Sequence, residues 1–357
     1  MKVAVVHDWI AARAGSEKVF EALANLFPEA DLWCLTRDVE VPLCIGDRAI
    51  RTTWLDRAAL RGRRGVTLPL MPIAWASVRG GQYDLVLSSS LAFAHSVRFG
   101  RRCIHLSYVH SPARYLWSPE LDLRGQGPWL RPAKAGLRAY DRRVAQYPTA
   151  LAANSAEVAR RIKRCWNREA RVIPPPVDLS FFTIDSSRPS RDYVLGFSRW
   201  IRYKRLDLVL RTAKEAGLPC VIAGSGPEGP RLKRLAADLN VDARFVERPD
   251  DFMVRELLRN AAALVFPVHE DFGIVPVEAM ACGTPVVALG RGGVVDTVTP
   301  GCNGELLADF DPAKAAASIE SLRRLDRDAI RRSVSEFSYP AFCERVKAWV
   351  GDWTIGE

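Results

Sequence analysis

The chain has 357 residues, of which 48% are hydrophobic and 26% charged, and its formal net charge is +10. This composition excludes a disordered or fibrous chain and leaves room for two globular domains. No apolar run approaches the ~20 residues of a membrane-spanning helix, and the first run, which His7 and Asp8 interrupt, is too short for a secretion signal. We therefore expect a cytoplasmic protein.

The cysteines and arginines indicate which metal sites, disulfides and anionic partners to expect. Eight cysteines are scattered without a C-x-x-C pair, so the sequence predicts neither a zinc site nor a disulfide framework. Arginines cluster at Arg61-Gly62-Arg63-Arg64, Arg101-Arg102, Arg142-Arg143 and Arg160-Arg161. Such clusters suit an anionic membrane surface, nucleic acid or plain solvation. No nucleic-acid-binding motif accompanies them, so we expect no nucleic acid partner.

Strands and helices alternate from the N-terminus onward, which predicts an α/β protein. In the first half, apolar runs predict strands at residues 3–6, 32–35, 84–88, 104–109 and 150–153, with a helix at about 17–26 after a turn at Gly15. The consecutive prolines Pro174, Pro175 and Pro176 then end the pattern, because such a run continues neither a helix nor a central strand. A domain boundary is predicted at this point.

A second α/β series follows the prolines. Strands are predicted at residues 193–197, 220–223, 244–246, 261–266 and 305–307, with helices at about 205–216, 253–259 and 340–350. We expect an N-terminal Rossmann-like acceptor domain at 1–173, a proline-containing linker at 174–190, a C-terminal Rossmann-like donor domain at 191–335, and a last helix within 336–357. A hinge at the linker would let the two domains close and exclude water.

The most informative segment follows the apolar strand at 261–266. It carries Glu270 and Glu278, with Gly273 between them, where the backbone can turn, and Pro276, which suits the first position of a helix. Both carboxylates should lie at the carboxyl end of a strand beside a helix N-terminus, where α/β sheets bind nucleotides. Ionised carboxylates also accept hydrogen bonds from sugar hydroxyls. The pattern indicates a nucleotide-sugar site, and ordinary loop and helix-dipole glutamates are the alternative.

This segment resembles the donor-binding signature of the retaining family-4 glycosyltransferases, which have the GT-B fold. The order E, F-G, P-x-E-A, A-x-G-x-P-V-V and G-G is matched nearly throughout, starting at Glu270. The resemblance implies two Rossmann-like domains facing a central cleft, with the C-terminal helix crossing back to the N-terminal domain. It also implies that Glu270 holds sugar hydroxyls and that Glu278 holds the ribose diol. The amides assigned to the diphosphate are those of Phe272, Gly273, Ile274 and Val275.

Five further positions match the pattern of this family. Arg199 and Lys204 have the spacing of its two cations that bind the donor diphosphate, which gains negative charge as the glycosidic bond breaks. Gly15 stands in A-G-S-E-K-V, where the family has G-G-A-E-[RK]-V, and its amide is expected to approach the phosphates. Gly224 lies in a loop that faces the donor, and His110 matches the histidine near the reacting sugar. A basic turn, ordinary glycine turns and a buried structural histidine are the alternatives.

The family reaction needs no metal, and no metal site is predicted here. Of the two D-x-D triplets, Asp309-Phe310-Asp311 is predicted to start a helix and Asp326-Arg327-Asp328 to be solvated. The resemblance implies retention of configuration without a carboxylate nucleophile, because the leaving phosphate accepts the proton of the acceptor hydroxyl. The residues with catalytic roles are then His110, Glu270, Arg199 and Lys204.

Over nearly its full length, the chain resembles bacterial O-antigen and exopolysaccharide mannosyltransferases, through V-H-D-W, S-P-A-R-Y-L-W and E-D-F-G-I-V-P-V-E-A-M. That resemblance implies no tightly bound cofactor, GDP-mannose as donor with UDP-hexose as second choice, and a glycan or polyprenyl-diphosphate-linked acceptor at the inner face of the membrane. Two other functions remain open. One is a GT-B epimerase or phosphorylase, and the other is a basic protein that binds polyanions or membranes and has a degenerate site.

Overall fold

The computed structural model describes residues 1–11, 14–38, 40–57, 67–78, 82–100, 102–118, 131–185 and 192–354. Contacts divide the chain into two compact units. The first comprises Met1–Pro176 together with Pro340–Glu357, and the second comprises Val177–Tyr339. In the described part of the chain, no helix combines the length and the apolar character needed to cross a membrane.

The first unit contains a parallel β-sheet whose strands are joined mainly by helices. Its strands are β1 (Val3–Ile10), β2 (Asp31–Arg37), β3 (Ile50–Thr52), β4 (Leu85–Ser90), β5 (Ile104–Val109), β6 (Ala150–Ala153) and β7 (Arg171–Val172). Its helices, before the C-terminal one, are α1 (Gly15–Leu26), α2 (Met71–Ser77), α3 (Arg114–Trp117), α4 (Arg131–Val144) and α5 (Ala156–Trp166). The sheet order is β3-β2-β1-β4-β5-β6-β7, so the chain reverses its direction of growth between β1 and β4. Ligands of such sheets bind beyond the carboxyl ends of the strands at this kind of reversal.

Burial explains why these segments are strands. All six residues of β4 are buried, as expected for a parallel strand that is covered on both faces. Along β1, Val3 and Val5 pack into one apolar core, whereas Ala4 and Val6 pack into another, because successive side chains point to opposite faces of a sheet. The sheet of the first unit therefore has an apolar core on each side.

The second unit repeats the same plan. Its strands are β8 (Tyr193–Phe197), β9 (Cys220–Gly224), β10 (Ala243–Glu247), β11 (Ala261–Phe266), β12 (Val286–Leu289) and β13 (Gly304–Leu307). Its helices are α6 (Leu206–Ala216), α7 (Gly229–Asp238), α8 (Asp251–Asn260), α9 (Ile274–Ala281), α10 (Pro312–Leu322) and α11 (Arg327–Arg332). The parallel order is β10-β9-β8-β11-β12-β13, so the reversal lies between β8 and β11.

The last helix, α12 (Tyr339–Thr354), belongs to the first unit apart from its first residue. Its buried side chains, which pack into the core beside β1 and β5, are Phe342, Val346, Trp349 and Val350. At its far end Asp352 forms an ion pair with Arg171 of β7, with 2.6 Å between the charged atoms. The core of the first unit is therefore built from both ends of the described chain.

The two D-x-D triplets both begin helices. Asp311 accepts a hydrogen bond from the N–H of Lys314 at 2.9 Å and caps α10, as predicted. Asp326 accepts hydrogen bonds from the N–H groups of Asp328 and Ala329, each at 3.1 Å, and caps α11. Asp326 and Asp328 are exposed, as predicted for a solvated stretch, and the helix cap is an additional role of Asp326. The Asp326 carboxylate satisfies backbone donors that the first helical turn leaves without partners.

Candidate active site

The reversal point of the second unit brings together two residues that the sequence singled out. Beyond β8 the chain forms a short 3₁₀ turn at Arg202–Lys204, and Glu270 follows β11. The Lys204 ammonium group donates a hydrogen bond to Glu270 Oε1, and the two form an ion pair. Only 11% of the Lys204 side chain and 16% of the Glu270 side chain are exposed. The pair is largely withdrawn from water. In such a place the attraction between charges is stronger than at the surface.

Tyr203 connects the two predicted diphosphate-binding cations. Nη2 of Arg199 donates a hydrogen bond to the Tyr203 hydroxyl at 3.4 Å. The Lys204 ammonium lies 5.2 Å from the centroid of the Tyr203 ring, within the range of a cation–π contact. Tyr203 was not predicted as a site residue, because no motif in the sequence marked it. Arg199, Tyr203 and Lys204 therefore form one cationic turn.

Arg205, directly after this turn, has a left-handed backbone with φ 51° and precedes α6. Because the side chain of an L-residue is strained there by about 1–2 kcal/mol, we expect Arg205→Gly to raise the free energy of unfolding by about 1 kcal/mol. The ion pair with Asp207 is half exposed and offsets little of this gain. Urea denaturation measures the effect. Arg202→Gly, in the 3₁₀ turn, is the control and should lower stability, whereas a loss of stability in Arg205→Gly would contradict the argument.

The loop after β8 is held by a close approach of two backbones. Trp200 is 2% exposed, and its N–H donates to the carbonyl of Ser225 at 2.7 Å. Gly224 has φ +128°, and a Cβ on it would lie 1.9 Å from the carbonyl oxygen of Ser198. Only glycine permits this contact, which positions the segment that carries Arg199. The predicted contact of Gly224 with the donor remains a prediction beside this structural role.

The start of α9 differs from the prediction by two residues. Gly273 has φ 86° and caps the helix, which begins at Ile274. Pro276 is therefore the third helical residue and not the first, and it is tolerated because N–H groups of the first turn have no acceptor within the helix. The N–H groups of Ile274 and Val275 lie at the helix N-terminus, where backbone donors and the helix dipole favour an anion.

Glu278 and the loop before α9 are buried together. The exposed fractions of Glu278 and Phe272 are both 5%. The N–H of Gly293 donates to the carbonyl of Glu270 at 2.9 Å, and a Cβ on Gly293 would lie 2.2 Å from the carbonyl oxygen of Asp271. The G-G motif thus passes directly against the backbone that carries Glu270. It acts as a rigid support for that carboxylate.

The reversal point of the first unit holds His110. Ser89 Oγ, on β4, lies 3.0 Å from His7 Nδ1 and 2.8 Å from His110 Nε2. His7 and Ser89 are fully buried, and His110 is 8% exposed. Burial lowers the pKa of His7 to about 4, against smaller opposing effects of hydrogen bonds to the backbone of Ser89 and Trp9. His7 is therefore uncharged at neutral pH. The bridging serine was missed because a serine within an apolar strand carries no distinctive pattern.

The other two serines of β4 also hold histidines. Ser88 Oγ lies 2.8 Å from His105 Nε2, and Ser90 Oγ lies 3.0 Å from His95 Nδ1. His95 Nε2 is in turn 3.2 Å from a carboxylate oxygen of Asp141. The order Ser90–His95–Asp141 resembles a nucleophilic triad, but the three residues are at most 1% exposed and are not accessible to a substrate. We interpret these contacts as structural.

Gly15 is the first residue of α1, so its amide lies at a helix N-terminus. Ala14, which stands where the resembled family has its first glycine, has φ −116° and ψ −170°. Any residue adopts this extended conformation, so the substitution causes no backbone strain. The carboxylate of Glu17 accepts hydrogen bonds from the Ala14 N–H at 3.3 Å and the Ser16 hydroxyl at 2.7 Å, and these contacts fix the turn.

The arginine clusters are not uniformly on the surface. Arg161 is 1% exposed and donates to Ser111 Oγ at 2.8 Å, so it supports the segment after His110 and is not part of a basic patch. Arg142 and Arg143 are exposed, and the Arg142 guanidinium lies 5.4 Å from the Trp117 ring centroid. The cluster at 61–64 and residue 101 lie outside the described residues.

Comparison with known proteins assigns both halves of the chain. Residues 13–181 match the family described as Glycosyltransferase Family 4, and residues 183–336 match Glycosyl transferases group 1. A D-inositol 3-phosphate glycosyltransferase of Thermomonospora curvata is 30% identical over 311 residues, which cover 75% of this chain and 70% of that protein. The chain belongs to the group 1/family 4 glycosyltransferases.

Other relatives of this glycosyltransferase agree with the assignment. The D-inositol 3-phosphate glycosyltransferase of Geodermatophilus obscurus is 34% identical over 224 residues, which cover 53% of this chain and 49% of that enzyme. The chain therefore spans about half the length of that relative. These relatives are D-inositol 3-phosphate glycosyltransferases, and they give no support to the predicted nearness to O-antigen and exopolysaccharide mannosyltransferases.

Solved structures confirm the predicted GT-B fold of this glycosyltransferase. A sucrose-phosphate synthase from Thermosynechococcus elongatus has a TM-score of 0.77 at 18% identity and covers 100% of both chains. Anabaena HepE, in complex with UDP, has a TM-score of 0.75 at 17% identity and covers 99% of this chain and 100% of its own. At these identities the likeness concerns the fold alone.

Proposed function

We propose that this glycosyltransferase moves a hexose from a nucleotide-diphosphate sugar to a hydroxyl group of a glycan acceptor, with retention of configuration and without a metal ion. The Lys204–Glu270 pair carries the proposal. It lies at the reversal point of the second unit, in a loop that leads from Glu270 to the helix after Gly273. A cation suited to a diphosphate and a carboxylate suited to sugar hydroxyls are thus in direct contact. A nucleotide-sugar uses both groups.

The pair also explains how a charged site is kept ready before the donor binds. Lys204 and Glu270 neutralise each other, so neither charge is left without a partner in a poorly hydrated place. On this proposal the donor takes over both roles, with its phosphate at Lys204 and its hydroxyls at Glu270. When the glycosidic bond breaks, the diphosphate gains negative charge. Arg199 and Lys204 then stabilise the transition state more than the ground state.

Retention without a protein nucleophile agrees with the state of Glu270. On this proposal the Glu270 carboxylate accepts hydrogen bonds from the sugar hydroxyls of the bound donor, and a carboxylate whose charge is engaged in this way is a weak nucleophile. We therefore assign the proton of the acceptor hydroxyl to the leaving phosphate. The two cations supply the positive charge that a metal ion supplies elsewhere. The D-x-D carboxylates Asp311 and Asp326 instead cap helices.

Different observations favour different identities for the donor and for the acceptor. The motif resemblance favours GDP-mannose, whereas HepE, a protein of the same fold, has been solved with UDP and with UDP-glucose. For the acceptor, the resemblance favours a glycan that is free or linked to polyprenyl diphosphate, and the exposed Arg142 and Arg143 support a position at the inner membrane face. The relatives' names make D-inositol 3-phosphate the competing acceptor.

Titration calorimetry with UDP, GDP, ADP and dTDP, followed by their sugar forms, tests the donor site. One nucleotide should bind, and Glu278→Ala should weaken that binding roughly ten- to a hundredfold, because a charge-assisted hydrogen bond contributes about 1.5–3 kcal/mol. Glu278 is buried on α9, whereas Glu215 is exposed on α6, so Glu215→Ala is the matched control and should bind as the parent does.

The outcomes separate the finer proposals. Preference for GDP supports the mannosyl donor, and preference for UDP assigns a UDP-hexose. Transfer of the labelled hexose to a polyprenyl-diphosphate-linked glycan or to D-inositol 3-phosphate then decides the acceptor. If no nucleotide binds, or if Glu278→Ala and Glu215→Ala bind equally, the proposed donor site is wrong.

A further inference from the structure

Tyr203 joins the apolar core of the second unit to one of the two cations that the proposed function assigns to the diphosphate. Its ring packs against the core that includes Phe266 and Phe272, which lie on either side of Glu270 in the sequence. Its hydroxyl accepts the hydrogen bond from Arg199 Nη2 at 3.4 Å. Tyr203 is therefore anchored in the core by its ring and reaches the Arg199 guanidinium with its hydroxyl group.

The backbone of this turn is fixed by hydrogen bonds of its own. The N–H of Ile201 donates to the carbonyl of Arg199 at 2.9 Å, and the N–H of Lys204 donates to the carbonyl of Ile201 at 3.0 Å. The N–H of Trp200 donates to the carbonyl of Ser225 at 2.7 Å and ties the turn to the neighbouring loop. The backbone therefore determines where the Arg199 side chain begins, but it does not determine where the guanidinium group lies.

The Arg199 side chain has little else to direct it. Arg199 is exposed, and among the described residues its guanidinium forms one hydrogen bond, the one to Tyr203. A long side chain that moves freely loses rotational freedom when it binds a ligand, and this entropy loss weakens binding. A guanidinium that Tyr203 already directs has less freedom to lose.

Lys204 is held differently from Arg199. Its ammonium group is paired with Glu270 and lies 5.2 Å from the centroid of the Tyr203 ring. These contacts use the ring of Tyr203 and not its hydroxyl. Tyr203→Phe therefore leaves them in place, together with the packing of the ring, and removes the hydrogen bond to Arg199.

We propose that Tyr203 is a positioning residue, which holds the Arg199 guanidinium in the orientation that binds the diphosphate of the donor. The inference rests on the proposed function, in which Arg199 and Lys204 bind that diphosphate. Tyr203 acts through Arg199 and does not itself contact the donor. Its contribution is to restrict Arg199 before the donor arrives, so that less freedom is lost on binding and in the transition state.

Nitrogen-15 NMR relaxation of the arginine side chains tests the positioning without any substrate. Arg202, an exposed arginine of the same turn, is the internal reference. Arg199→Met and Arg202→Gly identify the two signals. In the parent we expect the Arg199 Nε–H group to be more restricted than that of Arg202, and Tyr203→Phe should make the two equally mobile. Equal mobility in the parent would overturn the proposal, even if Tyr203→Phe does not fold.

A double-mutant cycle tests whether Tyr203 acts through Arg199. Tyr203→Phe should lower kcat/KM for the donor roughly three- to tenfold, the size of effect of one lost hydrogen bond. Arg199→Met should lower it about a hundredfold, as loss of one charge-stabilising donor does elsewhere. The double variant should be no slower than Arg199→Met, because no guanidinium is left to position. If the two losses multiply, the hydroxyl contacts the donor directly and the positioning role is wrong.

Tyr193→Phe is the matched control. Tyr193 is half-buried in the same unit, as Tyr203 is, and its hydroxyl donates to the carbonyl of Leu257 at 2.8 Å. It begins β8, so it lies at the end of the strand opposite the turn with Arg199. Tyr193→Phe should keep the kcat/KM of the parent. Equal losses in Tyr193→Phe and Tyr203→Phe would reduce Tyr203 to a structural residue.

These measurements separate the inference from the proposed function. If the parent binds no nucleotide and transfers no sugar, the proposed function is wrong, and the positioning role fails with it. If the parent transfers sugar and Tyr203→Phe keeps the full kcat/KM, the function stands and the positioning role fails. A loss in Tyr203→Phe that disappears in the Arg199→Met background supports both.

Discussion

Replacing Lys204 by methionine is expected to lower kcat/KM for sugar transfer about a hundred- to a thousandfold, as loss of one preorganised charge-stabilising donor does in other active sites. Methionine keeps most of the volume of the side chain and removes the charge. The diphosphate then leaves without the ammonium group that stabilises it. Glu270, which is 16% exposed, also loses its partner, so a smaller loss of folding stability should accompany the loss of activity.

A second lysine–glutamate pair provides the control. Lys233 and Glu247 are 2.9 Å apart, but their side chains are 51% and 57% exposed, so Lys233→Met should change neither activity nor stability noticeably. Initial rates at varied donor concentration measure the first effect, and chemical denaturation measures the second. In Glu270→Gln/Lys204→Met, part of the lost stability should return. If Lys204→Met kept the kcat/KM of the parent enzyme, the proposed mechanism would be wrong.

Replacing Gly224 by alanine is expected to destabilise the second unit by more than about 4 kcal/mol, a size of effect that marks a specific structural conflict. The added Cβ would lie 1.9 Å from the carbonyl oxygen of Ser198 at a backbone φ of +128°. The backbone cannot shift easily, because hydrogen bonds join Ser198 to Ala223 at 3.2 Å and Trp200 to Ser225 at 2.7 Å across the same gap. The turn that carries Arg199 and Lys204 depends on this contact.

Gly217 is the matched control, because it also has a positive φ, +61°, but none of the described residues has an atom within 4 Å of a Cβ placed there. Gly217→Ala should therefore cost only about 1–2 kcal/mol, the strain of a left-handed backbone. Thermal unfolding followed by circular dichroism compares the two variants. Similar stabilities would show that the loop after β8 can move away from Gly224.

The apolar strands are the part of the fold that was predictable from the sequence. The predicted strands at 150–153, 193–197 and 261–266 coincide with β6, β8 and β11. Each is a short apolar run bounded by polar residues or proline, as expected for strands buried in a parallel sheet. No pattern marked β3, because its three residues, which are exposed or half-buried, carry no alternation to detect. The start of α9, the helix that carries Glu278, was predicted two residues late, because Gly273 and not proline determines where it begins.

The candidate site was predictable where strand ends bring distant residues together. Lys204 and Glu270 are 66 positions apart, yet each follows a strand beside the reversal point, and the two form an ion pair in the structure. Contacts that depend on the register of the sheet were not predictable. Ser89 meets His110 because β4 and β5 are adjacent and parallel with a particular alignment, which single-residue patterns do not contain. Arg161, expected on the surface, is buried on α5, where its guanidinium donates to Ser111 Oγ.

Because of the C-terminal helix, the two units become complete at different times during synthesis. The second unit, residues Val177–Tyr339, is complete before Phe342, Val346 and Trp349 are added to the chain. It can fold as it leaves the ribosome, because domains generally fold as units in the order of translation. The first unit, although it is translated first, keeps the apolar surface beside β1 and β5 uncovered until these three residues of α12 have been added. A premature stop codon near residue 340 therefore damages the part of the enzyme that was made earliest.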